Sequence, residues 1–151
     1  MKIVNHESGS NNIKSVKAGF KELVDCNFSL EQIVAIAGKN GGSKNIQAVK
    51  SAFPTLIQMG FTLEQILALA SFDSGFKNIE AVKAGFSELT ELHFNHAQIV
   101  AIASKKGGAR NIEKAKKYTA GLGSCKITTG ILTANRENSQ ALINRISSLN
   151  I

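Results

Sequence analysis

Four tetrapeptides in this chain share one design, two residues that change followed by two that stay small. They are His6-Glu7-Ser8-Gly9, Lys39-Asn40-Gly41-Gly42, Phe72-Asp73-Ser74-Gly75 and Lys105-Lys106-Gly107-Gly108, each 33 residues after the last. Two positions beyond each of the later three stands a cation, Lys44, Lys77 or Arg110, with Asn11 at that place in the first. Glycines let a backbone approach a ligand closely. A helix that starts there adds N–H groups without a helical partner and a partial positive charge, which suits an anion. At even spacing, Gly9, Asn11, Gly41, Gly42, Lys44, Gly75, Lys77, Gly107, Gly108 and Arg110 would form a periodic rail for phosphate. The plainer alternative is a row of solvated lysines. Cations in register at helix starts are harder to ascribe to accident than scattered ones.

Catalytic and metal chemistry have less to work with. The three histidines are His6, His93 and His96, and no Cys, Asp or Glu accompanies them in a nucleophile–base pattern. His93-Phe-Asn-His96 falls on a turn between repeats and lacks further ligands. Cys26 and Cys125 lie far apart with no metal-like spacing, so reduced, half-buried thiols are expected, with Cys26 packed as a small apolar group at a helix end. The expectation is a protein without enzymatic activity, cofactor, metal or small-molecule substrate.

The elements that must carry the tetrapeptides repeat with them. Phe28-Ser-Leu-Glu-Gln-Ile-Val-Ala-Ile-Ala37 returns as Phe61-Thr-Leu-Glu-Gln-Ile-Leu-Ala-Leu-Ala70 and as Phe94-Asn-His-Ala-Gln-Ile-Val-Ala-Ile-Ala103. The second halves match as well, in Asn12-Ile-Lys-Ser-Val-Lys17, Asn45-Ile-Gln-Ala-Val-Lys50, Asn78-Ile-Glu-Ala-Val-Lys83 and Asn111-Ile-Glu-Lys-Ala-Lys116. Ser29, Thr62 and Asn95 are N-cap residues, each followed three residues later by Gln32, Gln65 or Gln98 at capping-box spacing. Ile33, Ile36 and Ala37 give a short first helix its inward stripe, and the helix is expected to stop at the small pair, Gly41-Gly42, Ser74-Gly75 or Gly107-Gly108. The second helix carries Ile46, Val49, Phe53 and Ile57, or Ile79, Val82, Phe86 and Leu89, and ends near Gly60 or His93. Pro54 should kink one copy of it.

A helix pair this small cannot bury its apolar face alone, so neighbouring pairs must stack into a right- or left-wound solenoid, with Phe28, Phe61 and Phe94 packed between repeats. The units are a half repeat at 1–27, repeats at 28–60, 61–93 and 94–126, the last with a degenerate end, and a C-terminal cap at 127–151. Apolar residues make up 43% of the 151, and the net charge of +7 favours polyanionic partners. The first residues hold no apolar h-region and no stretch reaches transmembrane length, so neither a classical signal peptide nor a membrane partner is expected.

Taken together, Leu-Glu-Gln-Ile-Val-Ala-Ile-Ala, two variable residues, Gly-Gly and a basic second helix over 33 residues resemble the repeats of transcription activator-like (TAL) effectors, and most closely their divergent bacterial relatives. The resemblance runs from Asn5 to Lys117. It implies an all-α, right-handed superhelical solenoid of two-helix 33-residue repeats that binds double-stranded DNA, each loop in the major groove. By position it makes Glu7, Asn40, Asp73 and Lys106 the base-reading residues, and His6, Lys39, Phe72 and Lys105 the residues that brace the loop. It gives the glycine pair and the following cation to phosphate.

Base chemistry agrees for two of the four. Asp73 can accept from the N4 amino group of cytosine, and Asn40 can donate to a purine N7. Glu7 could accept from cytosine with a longer reach, and Lys106 could meet guanine or a phosphate. There are departures from the family pattern. Phe72 cannot hydrogen-bond as a bracing residue does, so packing should hold that loop. Ser74 replaces a glycine, Lys105-Lys106 doubles the charge, and His96-Ala97 stands for Leu-Glu. So few repeats would address three or four bases, and sequence specificity should be low. A helical protein-interaction module, such as a bacterial effector could use, is the alternative. A monomer is expected, in the bacterial cytoplasm or, if delivered as an effector, in a host cell or nucleus.

Overall fold

The computed structural model describes the backbone of residues 9–105 and 107–123, and the side chains of residues 10–105 and 107–117. The expected cap at 127–151 lies outside them, as do His6, Glu7, Lys106 and Cys125. Among the described residues there are helices and no strand: α1 (Gly9–Asp25), α2 (Leu30–Ala37), α3 (Gly42–Gln58), α4 (Leu63–Ala70), α5 (Gly75–Glu91), α6 (His96–Ala103) and α7 (Gly108–Gly123). Long and short helices alternate, and each long helix starts 33 residues after the previous one.

The short helices begin as their caps dictate. Ser29, Thr62 and Asn95 accept from the backbone N–H of Gln32, Gln65 and Gln98, whose side chains return a bond to the cap N–H, at 2.9–3.3 Å throughout. They end four residues earlier than the small pair, at Ala37, Ala70 and Ala103, which corrects the expected stop. A short turn follows, and the second member of the pair already opens the next helix.

The long helices α1, α3 and α5 are each closed by a Schellman turn. Asn27, Gly60 and His93 adopt left-handed backbone with φ of 66°, 88° and 64°. The N–H of the following Phe28, Phe61 or Phe94 reaches back to the carbonyl of Leu23, Leu56 or Leu89 at 2.9–3.0 Å. This motif brings together the residue after the turn and the one five positions before it. Both are apolar here, and the three Leu and three Phe are 0–3% exposed. The recurring Phe is thus the clamp between one repeat's long helix and the next repeat's short helix. Leu56, not Ile57, faces the core; Ile57 is 45% exposed, because the turn selects the position five before Phe61.

The long helices pack in sequence, α1 on α3, α3 on α5 and α5 on α7, with the short helices stacked alongside. Small residues line the seam. A Cβ on Gly19 would come within 3.0 Å of Ile46, and one on Gly85 within 3.2 Å of Ile112. Ile46, Ile79 and Ile112 are 0–1% exposed in these seams, whereas Ile13, in the first long helix, is 36% exposed. Ion pairs cross two of the seams, Lys50–Glu22 and Lys116–Glu88, both at 2.9 Å. Helix α3 runs through Pro54 without interruption, so the expected kink does not break it.

Candidate functional site

The loops between short and long helices come together along one edge of the stack. Their geometry divides the small pair into two roles. Gly41, Ser74 and Gly107, the first members, have φ of 78°, 58° and 73°; a serine tolerates that conformation at a cost. Gly42, Gly75 and Gly108, the second members, are buried at the start of the long helix. A Cβ on any of them would collide with the carbonyl oxygen of Ala37, Ala70 or Ala103, the last residue of the preceding short helix. The first glycine serves the backbone angle and the second serves contact.

The loops that carry Asn40 and Asp73 are joined in register. Asn40 donates its backbone N–H to Asp73 Oδ1 at 2.9 Å, and Ser74 donates its N–H to the Asn40 carbonyl at 3.0 Å. Two base-reading candidates from adjacent repeats are therefore neighbours, both side chains exposed. Lys39, Phe72 and Lys105, the bracing candidates, are exposed as well. The Lys39 side chain makes no hydrogen bond among the described residues, but its carbonyl accepts from Gly42 N–H at 2.8 Å. The Phe72 carbonyl likewise accepts from Gly75 N–H at 2.9 Å. Hydrogen bonds to the Phe72 backbone thus help to hold its loop.

A buried asparagine in each long helix, at Asn12, Asn45, Asn78 and Asn111, is 0–4% exposed. Asn12 accepts from the Ser43 N–H and Asn45 from the Phe76 N–H, each at 2.9 Å and each across to the next repeat. Asn45 also donates through Nδ2 to the Phe72 carbonyl at 3.0 Å. Sequence reasoning passed over these residues. The available signal was a polar residue fixed directly before the buried isoleucine of the long helix, since a buried carboxamide must find partners.

At the starts of α3 and α5, N–H groups expected to be open are engaged within the protein. Ser43 and Phe76 give theirs to asparagine, Gly42 and Gly75 to the preceding loop, and Lys77 to the Ser74 carbonyl at 2.9 Å. Lys44, Lys77 and Arg110 are exposed at equivalent places in the first turns of α3, α5 and α7, and Asn11 is exposed in the first turn of α1. Phe76 gathers two of them, with Lys44 Nζ 5.3 Å and Lys77 Nζ 5.9 Å from its ring centroid. The electron-rich face of the ring attracts both ammonium groups. Phe76 too was missed; serine or alanine occupies the same place at Ser10, Ser43 and Ala109.

The substitution at His96 has a structural use away from this edge. Its ring lies 4.8 Å from Phe61 and 5.4 Å from Phe86, centroid to centroid, and Nε2 sits 2.7 Å from the Met59 carbonyl. A carbonyl only accepts, so Nε2 carries the proton. Cys26 packs against the core, and burial, with the nearby Asp25 and Glu22 charges, pushes its thiol up. No group of three or more His, Cys, Asp or Glu suited to a metal occurs among the described residues, and no described helix is long and apolar enough to cross a membrane.

The family model described as TAL effector repeat matches residues 40–72 and 73–105. The two matched units abut, each begins on a base-reading candidate, Asn40 or Asp73, and each has the period of the helices. No curated protein matches the chain.

Proposed function

Because the chain carries two adjacent TAL effector repeats, a DNA-binding and non-catalytic repeat family, we propose that it is a double-stranded DNA-binding repeat array with little sequence discrimination. In this reading the array winds right-handed and lays its loop edge in the major groove. Asn40 and Asp73 face base edges, joined by Glu7 and Lys106 by position. Lys44, Lys77 and Arg110 contact phosphate, while Asn11 and the glycine pairs allow the backbone to come close. The observation that carries the reading is the stitching of the Asn40 and Asp73 loops, with Lys44 and Lys77 beside them on the same edge. Asn40 and Asp73 stand in order on adjacent repeats, backed by positive charge, as a linear polyanion with stacked bases requires. Low specificity follows from length, since each good base contact discriminates by only about 1–3 kcal/mol.

The test is a fluorescence-anisotropy titration of a labelled mixed-sequence duplex over a series of salt concentrations. Affinity should be of the non-specific kind, roughly 10⁻⁴–10⁻⁶ M near physiological salt, and should strengthen steeply as salt falls. Replacing Lys44, Lys77 and Arg110 together by alanine should weaken binding uniformly across sequences and reduce the salt slope by about three. Absence of binding at low salt, or a triple variant that binds like the parent, refutes the proposal. The protein-interaction reading is favoured by one observation, the exposed Ile13, Phe20 and Val24 on α1. It predicts a partner that stays bound when competitor DNA is added.

A further inference from the structure

The loop that presents Asp73 is held by the repeat before it. Asn45 is fully buried, and its carboxamide grips both ends of the segment: Nδ2 donates to the Phe72 carbonyl at 3.0 Å, and Oδ1 accepts from the Phe76 N–H at 2.9 Å. Asn40 adds the two bonds to Ser74 and Asp73. The Phe72 side chain adds no hydrogen bond of its own. Among the described residues, the hydrogen bonds that tie this loop to another repeat come from Asn40 and Asn45.

Resting on the proposed role of Asp73 toward DNA, we propose that Asn45 is a positioning residue for base discrimination one repeat further on. Asp73 Oδ1 is occupied by the Asn40 N–H, so the carboxylate is anchored at one oxygen and presents the other. A fixed acceptor selects a donor on a base edge, whereas a loose one swings to water or to any neighbouring donor. Anchoring requires that the backbone on both sides of Asp73 stay put, and Asn45 holds it there from within the apolar seam, where water competes least. The carboxamide supplies a donor and an acceptor on separate atoms; aspartate keeps the acceptor alone and alanine neither. The joint before it is weaker. Asn12 accepts from the Ser43 N–H, but its buried Nδ2 has no partner among the described residues. Of the two loops with a described reading residue, the Asp73 loop is thus the better fixed and sets the stronger preference.

Two measurements on the full chain test this. The first is amide hydrogen exchange of the DNA-free protein. Asn45→Ala and Asn45→Asp should both speed exchange at Asn40, and only Asn45→Ala should release the Phe76 N–H outright. The second is selection of bound duplexes from a pool with randomised central base pairs, read by sequencing. The parent should favour cytosine at one position by about fivefold or more. Both Asn45 variants should reduce this preference to within about twofold while retaining affinity for the unselected pool. Asn78→Ala, the same buried change one repeat later, should lower stability and leave the cytosine preference in place. Equal erosion by the Asn45 and Asn78 variants, or unchanged exchange and preference in both Asn45 variants, overturns the proposal. If Asn45→Ala fails to fold, Asn45→Asp carries both readouts. Failure of the parent to bind any duplex would instead overturn the DNA reading, and exchange at Phe76 and Asn40 would then decide the bracing alone.

Discussion

Asp73 accepts a hydrogen bond from the backbone N–H of Asn40, the residue 33 positions earlier, at 2.9 Å. The two occupy the same place in adjacent repeats, so the bond ties the presented residue of one loop to the main chain of the loop before. A solvent-exposed bond of this kind contributes modestly to stability, about 1 kcal/mol or less. Its effect is on orientation.

Asp73→Ala should accordingly melt within a few degrees of the parent while the Asn40 amide exchanges with solvent markedly faster. Thermal denaturation and residue-resolved exchange check the two halves. A large loss of stability with unchanged exchange at Asn40 would show that Asp73 acts elsewhere.

The two members of the small pair should respond in opposite ways. Gly75→Ala places a Cβ against the Ala70 carbonyl and should cost roughly 1–3 kcal/mol or more, since backbone must move to accommodate it. Ser74→Gly removes a side chain from a left-handed backbone with φ 58° and should be neutral or stabilising by about 0.5–1 kcal/mol. Urea denaturation of the two variants beside the parent decides the matter; the same sign for both would refute the division of roles.

Acid should loosen the stack before it unfolds the core. The Lys50 hydrogen bond holds the Glu22 carboxyl below its ordinary value of 4.5, and its own backbone N–H together with Thr62 does the same for Glu64. A depressed carboxylate contributes stability that is present above the unfolded value and lost as pH falls through the folded one. Melting temperature should therefore decline below about pH 4.5, and Glu22→Gln should flatten that decline. Lys116, raised above 10.5 first of all by Glu88, behaves oppositely, its contribution being lost as pH rises through the raised value. A pH profile of melting for parent and Glu22→Gln gives the answer, and parallel acid limbs would show the Glu22 pair to be inert.

What could be read in the sequence was whatever is local or periodic. The 33-residue period, the capping boxes at Ser29, Thr62 and Asn95, and the stripe of Ile33, Ile36 and Ala37 need only a helix and its neighbours in the chain. The misassignment of Ile57 arose because helical spacing alone admits either 56 or 57; the Schellman turn to Phe61, a five-residue relation, decides for Leu56. Contacts across repeats were illegible for a different reason. Asn45 with Phe76, Lys44 with the Phe76 ring and Asn40 with Asp73 each join positions about one period apart, and their pairing depends on how far one hairpin slides along the next. The bonds that Asn12 and Asn45 accept from the Ser43 and Phe76 N–H groups were illegible for the same reason, since a helix start read alone shows no partner from the preceding repeat.

The collision awaiting any Cβ at Gly42, Gly75 or Gly108 also partitions how such a chain can diverge. Every amino-acid change at these glycines introduces a Cβ, so none of the three has a conservative replacement. The variable residues ahead of them that the structure describes, Lys39, Asn40, Phe72, Asp73 and Lys105, stand exposed, where a change of side chain meets no such collision. Random mutation is thus filtered within a span of four residues, discarded at the hinge and retained at the tip. The repeats can drift in what they present long before they drift in how they stack.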